Sequence, residues 1–435
     1  MPFRHKPGSF GHGVLTLAGG TAGVQALYLV CLPILTRLFT VHEMGDLTVY
    51  QALLSILLVV AALRYEVAIY VSGDDHEAIS VLALSVASVF LSSLVVACGF
   101  FVLSISVDLP PQYSVVTSYW GLIWLGQIGA GLALVLTQWT LRQRSFATVA
   151  TARVSQVFSQ LVTQLALGFA GIGGAGLLIG DVVGRLTGAA TLALRLVRRE
   201  GHLLGGIRAS SIVRDARVHA GYPMYSTPAA LLNTVTLQLP PILFLFMFGQ
   251  HVAGWFGLMI RVCSAPMMLI GKSVSDAYAS EFSRLLRDNP AALKPLFTRT
   301  FRKLALLGLA PLGVILIAGP WLFGLVFGAD WAESGVYARF VALYTFAEFC
   351  CFPLFLTPSL LRRQRVQLAW DALLIGALLA GLWTVWSLGW GPRAAVLYYG
   401  MCFALMYFIH VWISFRMLSQ VHAAGVPAPV AAASL

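Results

Sequence analysis

Residues 57–71 read LLVVAALRYEVAIYV, an apolar run with Arg64 and Glu66 inside it. A charge at the centre of a helix in lipid costs roughly 2.5–3.5 kcal/mol even on lenient scales. Whether this stretch lies in lipid therefore decides how the chain folds. Composition points to lipid. Of 435 residues, 59% are hydrophobic and 10% charged, against about 25% charged in soluble domains. Twelve apolar segments reach the length a bilayer needs, roughly 20 residues. They lie at 13–35, 47–71, 78–104, 115–139, 147–170, 175–196, 217–248, 252–273, 302–327, 335–358, 367–389 and 394–418. The expected fold class is an all-α polytopic membrane protein of about twelve transmembrane helices. The first segment follows Arg4 and Lys6 like a signal peptide, but is too long for an h-region and reads as a retained span.

Charge orients the chain. With the amino terminus inside, most basic residues fall on inner segments, among them Arg142, Arg144, Arg195, Arg198, Arg199, Arg284, Arg287, Arg362 and Arg363. Outer loops keep only Arg37, Arg339 and Arg393. This is the positive-inside pattern, and it predicts two cytoplasmic termini. The net charge of +11 then faces anionic lipid, with no nucleic-acid partner expected. Residues 275–300 are expected to include a helix lying on the inner surface. The six cysteines sit in apolar runs without metal-ligand spacing and read as small core hydrophobes; neither a metal nor a cofactor is expected.

The two halves resemble each other. Pro33-Ile34-Leu35 aligns with Pro241-Ile242-Leu243, and Gly45 with Gly254, with one gap. Spans 1 and 2 thereby match spans 7 and 8. Six helices separate the copies, so both have the same orientation. That implies two six-helix lobes, 1–200 and 201–420, related by a pseudo-two-fold along the membrane normal, with 421–435 as a flexible tail.

Enzyme chemistry is missing. LIGKS at 269–273 contains the Gly-Lys-Ser of a phosphate loop, but position 266 is Pro and no strand precedes it. No outer loop is long enough to house paired carboxylates or a nucleophile with its base. What remains is charge inside the spans, where ionisable residues are functional candidates by default. Arg261 and Lys272 are eleven residues apart, about 20° from one helix face, with Ser264 and Met268 between them. These two cations need an anionic partner, either a substrate or an acid such as Glu348. Arg153, Gln156, Gln160, Thr163 and Gln164 form a continuous polar face on span 5, expected to be a wet cavity wall. Gly176, Gly180, Gly184 and Gly188 on span 6 form a ladder for close helix approach, with Asp181 and Arg185 as an internal pair. His219, Tyr222, Ser226 and Asn233 share one side of span 7, whose Pro223, Pro228, Pro240 and Pro241 break its regularity. Arg64 and Glu66, two residues apart, point about 200° from each other in a continuous helix. Glu66 then faces the cavity, while Arg64 either snorkels or meets a partner at its mouth.

Three stretches carry a resemblance: GGTAGVQALYLVCLPILTRLFTVHEMGDLTVYQALLS, LRYEVAIYVSGDDHEA and FGADWAESGVYARF. They resemble the Wzx-type oligosaccharide flippases of the multidrug/oligosaccharidyl-lipid/polysaccharide exporter superfamily. The resemblance implies alternating access and a cationic central cavity. It also implies a cargo, an undecaprenyl-pyrophosphate-linked oligosaccharide turned to the periplasmic leaflet of the bacterial inner membrane for surface polysaccharides such as O-antigen. Other polysaccharide-assembly membrane proteins are expected partners. Arg153, Arg261, Lys272 and Arg64 would then hold the pyrophosphate. Gln156, Gln160, Gln164, Tyr222, Ser226 and Asn233 would line the sugar path. With no nucleotide site, Glu66, Glu348 and Asp371 are candidate ion-coupling acids. Two alternatives remain: a cation-coupled multidrug exporter, which wants acidic lining, and a membrane polymerase or ligase, which wants a long outer loop.

Overall fold

The computed structural model describes residues 9–106, 118–264, 271–361 and 363–424. Arg4, Lys6, Met268, Arg362 and the tail beyond Ala424 lie outside them. The described residues are helical throughout, with no strand. The first half runs α1 (Ser9–Leu38), α2 (Val41–Ala61), α3 (Tyr65–Val71), α4 (Asp75–Ser106), α5 (Trp120–Arg142), α6 (Phe146–Phe169), α7 (Gly174–Leu204) and α8 (Ala209–Val218). Then come α9 (Thr227–Phe248), α10 (Gln250–Cys263), α11 (Lys272–Asp288), α12 (Leu293–Phe327), α13 (Ala332–Cys351), α14 (Gln364–Ser387) and α15 (Pro392–Ala424). Nine of the described helices are long and apolar enough to cross a membrane. Helices α1, α6 and α10 lie at the other three expected positions, α10 with only 14 residues, so the fold is consistent with about twelve spans. Two compact units result, Met1–Gly254 and Trp255–Leu435. This division falls inside α10, later than the repeat boundary near residue 200, because α9 packs along α2.

The stretch 57–71 is not one span. α2 starts on a capping box, in which the Thr40 amide donates to Glu43 at 2.8 Å and the Glu43 amide to the Thr40 hydroxyl at 3.3 Å. It stops at Ala61, where Leu63 and Arg64 take φ of 50° and 63°. Left-handed backbone costs an L-residue about 1–2 kcal/mol. Contacts beyond the break offset it. Arg142 Nη1 donates to the carbonyls of Ile69 and Ser72, both at 2.9 Å. The Tyr65 hydroxyl donates to the Ala216 carbonyl at 3.4 Å. Losing helical phase at the break corrects the reading of the two charges. Arg64 Nη1 lies 3.6 Å from Glu66 Oε1, so they pair. Glu66 is buried, not turned to a cavity.

The repeat has a physical counterpart. A methyl added to Gly45 would strike the carbonyl of Gln250, and one added to Gly254 would strike the carbonyl of Val41. Val41 precedes Gly45 by four residues, as Gln250 precedes Gly254. The two glycines aligned in sequence thus let α2 and the start of α10 cross at backbone distance in a reciprocal contact. Beside them the Gln250 amide donates to Asp46 at 3.0 Å.

The segment 275–300 contains the expected helix. Most of its first part is α11, whose apolar side is covered by protein instead of lipid. Tyr278 and Phe282 are buried with Leu293, Phe297, Leu354 and Leu418, and the Tyr278 hydroxyl meets that of Thr357 at 2.9 Å. On its exposed side Arg284 holds Glu281 at 2.6 Å and keeps that carboxyl below its usual range through the hydrogen bond.

Candidate functional site

In the first unit, the polar face of α6 meets the glycine ladder of α7. A methyl on Gly180 would lie 3.0 Å from the Gln160 carbonyl. One on Gly184 would lie 2.7 Å from the Gln156 carbonyl, and one on Gly188 would lie 3.1 Å from the Gln156 side chain. Only glycine allows this approach. Once the helices touch, the amides become helix-to-helix bonds. Gln164 is fully buried and donates to the Leu177 carbonyl at 2.9 Å. Asp181 accepts from Gln51 at 3.1 Å, from Gln160 at 3.5 Å and from Arg185. The face expected to be a wet wall is thus, at Gln160 and Gln164, a sealed contact. Interhelical bonds of this kind contribute about 0.6 kcal/mol on average in a membrane.

The amino-terminal end of that face, toward Phe146, stays open. Arg153 is exposed and lines a small crevice with Gln156, Thr137, Gly188 and Leu192. It is close enough to Arg185 to feel its charge. Arg153 is therefore the accessible cation of α6, with Gln156 beside it. Gln51 and Tyr50 were not singled out from sequence. Gln51 supplies the third bond to Asp181, and the Tyr50 hydroxyl donates to the Leu122 carbonyl at 3.2 Å. Arg64 keeps its half-exposed guanidinium on Glu66.

Span 7 loses α-helical geometry only at its first prolines, and Pro240 and Pro241, expected to break it too, lie inside the continuous helix α9. Tyr222–Ser226 forms a π-helical turn leading into α9. Pro228 has no amide to donate to the preceding turn, and the Thr227 hydroxyl donates to the Tyr222 carbonyl at 3.3 Å. Tyr222 packs beside His219, with ring centres 6.1 Å apart. Ser226 is half-buried and Asn233 exposed. The bend thus separates the tyrosine, which joins the core, from the amide, which does not.

The second unit holds the remaining candidates. α10 ends at Cys263, Ser264 is a turn, and Lys272 opens α11. No unbroken helix joins Arg261 to Lys272, so their eleven-residue spacing fixes no common face. Arg261 is half-buried near the end of α10. Glu348 on α13 is half-buried, close to Tyr344, Tyr399 and Tyr407. Asp371 on α14 accepts from the Gln367 amide at 3.2 Å. The Gln367 carbonyl in turn lies 3.0 Å from His410 Nε2 on α15. With the proton on Nε2, the bonds run in one direction from His410 through Gln367 to Asp371. The His410 ring stacks on Phe355 at 4.1 Å, with the Trp370 ring 5.2 Å away. A histidine inside the apolar run 394–418 was the available signal for this chain, and sequence reading passed over it. No group of three metal-ligating side chains occurs among the described residues.

A sequence model of the polysaccharide biosynthesis protein family matches residues 34–336, and the chain belongs to that family. Among solved structures it is similar to an inward-facing multidrug resistance MATE family transporter of the MOP superfamily. That match has 12% identity and a TM-score of 0.68 over 94% of this chain and 96% of that one. A MATE transporter in complex with MaL6 matches with 12% identity and a TM-score of 0.61 over 94% and 97%. A Vibrio cholerae MATE transporter matches with 11% identity and a TM-score of 0.57 over 95% and 96%. At such identities the likeness is one of fold. No curated protein matches the chain.

Proposed function

We propose that this member of the polysaccharide biosynthesis protein family turns undecaprenyl-pyrophosphate-linked oligosaccharide units from the cytoplasmic to the periplasmic leaflet of the bacterial inner membrane, by alternating access. One observation carries the reading: a polysaccharide family match over most of a chain with a transporter fold. A pathway of polysaccharide synthesis needs a transporter where a sugar assembled on lipid inside must be used outside. The cations fit that cargo. A pyrophosphate is a dense anion that guanidinium groups hold in bidentate fashion, and Arg153, Arg261 and Lys272 are the groups offered, with Arg64 at the break in span 2. Gln156, Ser226 and Asn233 are candidates for the sugar path. Complementation tests the reading. Expression in a strain lacking its own flippase should restore surface polysaccharide, and no restoration across several repeat-unit types would overturn it.

The fold neighbours whose titles name multidrug resistance favour a second reading, cation-coupled drug export. Ethidium efflux separates the two, since a flippase of anionic lipid-linked sugars leaves ethidium accumulation unchanged. The transporter fold and family speak against a polymerase or ligase.

Coupling is assigned to acids, because no nucleotide-binding loop is present. Glu348 and Asp371 are the candidates in the second unit and Glu66 in the first. Glu348→Gln should abolish acceleration of transport by an imposed proton or sodium gradient while leaving slow equilibration without one. Full gradient response in that variant would exclude Glu348 as the coupling acid.

Topology gives an independent check. Cysteines at Arg37 and Arg393 should label from the periplasmic side of sealed cells, and one at Arg363 should not. Labelling at Arg363 would reverse the orientation.

A further inference from the structure

At one end of the first unit, a wide-open cavity of about 580 Å³, nearer a surface depression than an enclosed pocket, lies between the α3–α4 and α5–α6 connections, lined by Tyr70, Asp75, Arg142, Gln143, Arg144 and Phe146. Its two arginines play different parts. Arg142 is part of the frame. Its guanidinium donates to the carbonyls of Ile69 and Ser72 at 2.9 Å and of Asp74 at 3.2 Å, and reaches Asp75 at 3.4 Å. That network fixes both connections and neutralises the one carboxylate in the wall. Arg144 has no hydrogen bond or ion pair from its side chain among the described residues, and it is exposed.

The backbone at Arg144 sharpens the point. α5 ends with Arg144 at φ 53°, its amide donating to the Leu141 carbonyl at 2.8 Å, while the next amide returns to Thr140 at 3.0 Å. Helices commonly close this way on glycine, which carries no Cβ penalty. Here a long cationic side chain occupies the strained position and lines the cavity. Strain of this kind persists where the surroundings impose it and clusters at ligand sites. The neighbouring Ser145 hydroxyl accepts from Arg195 at 2.5 Å, so a second guanidinium anchors the same loop.

We infer that this cavity binds a glycosyl phosphate: Arg144 takes the phosphate, Tyr70 and Phe146 cover the sugar ring, and Gln143 and Asp75 bond its hydroxyls. Each wall group suits one part of that ligand. A free guanidinium matches phosphate oxygens. Aromatic faces carry negative charge density that attracts the polarised C–H groups of a pyranose face. A carboxylate and an amide accept from and donate to hydroxyls, whereas a bare phosphate has no use for either ring or for Asp75. In the orientation proposed above the cavity faces the cytoplasm, where a lipid-linked unit would first meet the protein. The inference rests on the flippase reading only for that source, since a soluble sugar phosphate offers the same chemistry.

The test is calorimetry on the full chain in phosphatidylcholine nanodiscs, with glucose 1-phosphate, inorganic phosphate and glucose as separate probes. Glucose 1-phosphate should bind at least about tenfold tighter than either part alone. Arg144→Gly relieves the backbone, so its melting temperature should not fall, yet glucose 1-phosphate affinity should drop at least about tenfold. Tyr70→Leu should weaken glucose 1-phosphate and leave inorganic phosphate unchanged. Unchanged binding in Arg144→Gly, or glucose 1-phosphate binding no tighter than phosphate, overturns the site. Wild-type binding unaffected by a tenfold excess of a lipid-linked sugar diphosphate assigns the site to soluble sugar phosphates, and displacement assigns it to the flippase cargo. If the wild-type chain moves no lipid-linked oligosaccharide while Arg144-dependent binding stands, the flippase reading fails and the site survives. If it transports and Arg144→Gly binds normally, the site fails alone.

Discussion

Gly184→Leu is expected to remove most of the protein from the membrane. An added Cβ at this position would lie 2.7 Å from both the Gln156 carbonyl and the Gln160 side chain, and leucine adds three more carbons. Overpacking a tight contact typically costs about 1–3 kcal/mol. Here the displaced partner is backbone, which has nowhere to go. Pushing α6 from α7 also pulls Gln160 and Gln164 off Asp181 and Leu177, leaving buried amides unpaired at about 1–3 kcal/mol each. Together these approach the whole stability of an ordinary domain, about 5–15 kcal/mol. Gly99→Leu is the control, because nothing lies within 4 Å of a Cβ there. Blotting of membrane fractions should show a loss of about tenfold or more for Gly184→Leu and a normal level for Gly99→Leu. Equal levels would mean that α6 and α7 are not in close contact.

That contact shows how far sequence alone reaches. The four-residue glycine spacing and the Asp181–Arg185 pair are local features, and both appear in the fold in that form. The alignment of Gly45 with Gly254 likewise has its counterpart in the α2–α10 crossing. The error at Gln160 and Gln164 came from treating α6 alone. A polar face in a membrane helix meets either water or another helix, and only the partner helix decides which. The ladder on α7 was visible, but nothing in one sequence says which helix it faces. The break at Leu63 and Arg64 was harder to see, because neither residue is glycine or proline. It is imposed from seventy residues away, by Arg142 on the carbonyls of Ile69 and Ser72. Once phase is lost there, every inference from helical angle beyond it fails, including the separation of Arg64 from Glu66. The same holds across the turn at Ser264. The helix expected on the inner surface, α11, shows the same limit: amphipathicity specifies that an apolar side is covered, not by what.

Arg261→Ala is expected to reduce surface polysaccharide to under about one-tenth, with protein level within about twofold of wild type. An arginine carried in a span is expensive unless it faces water, cargo or a fixed acid. If cargo is its purpose, Arg261→Lys should retain part of the activity, because the charge survives while bidentate geometry is lost. Arg153→Ala should behave like Arg261→Ala, since Arg153 is the exposed cation of α6. A purely structural Arg261 held by an acid such as Glu348 predicts the opposite pattern. The protein would leave the membrane, and removal of Glu348 as well would restore it.

The central claim is that the chain carries a lipid-linked oligosaccharide across a bilayer. It is tested most directly in proteoliposomes containing the purified full chain and an undecaprenyl-pyrophosphate-linked oligosaccharide labelled on the sugar. A membrane-impermeant glycosidase outside reports how much label has access. The predicted result is that the protected inner half becomes accessible within minutes with the wild-type chain, about tenfold more slowly with Arg153→Ala or Arg261→Ala, and not at all in protein-free liposomes. Protection of the inner half that persists with the wild-type chain, with or without an ion gradient, while the same vesicles move ethidium, would contradict the claim.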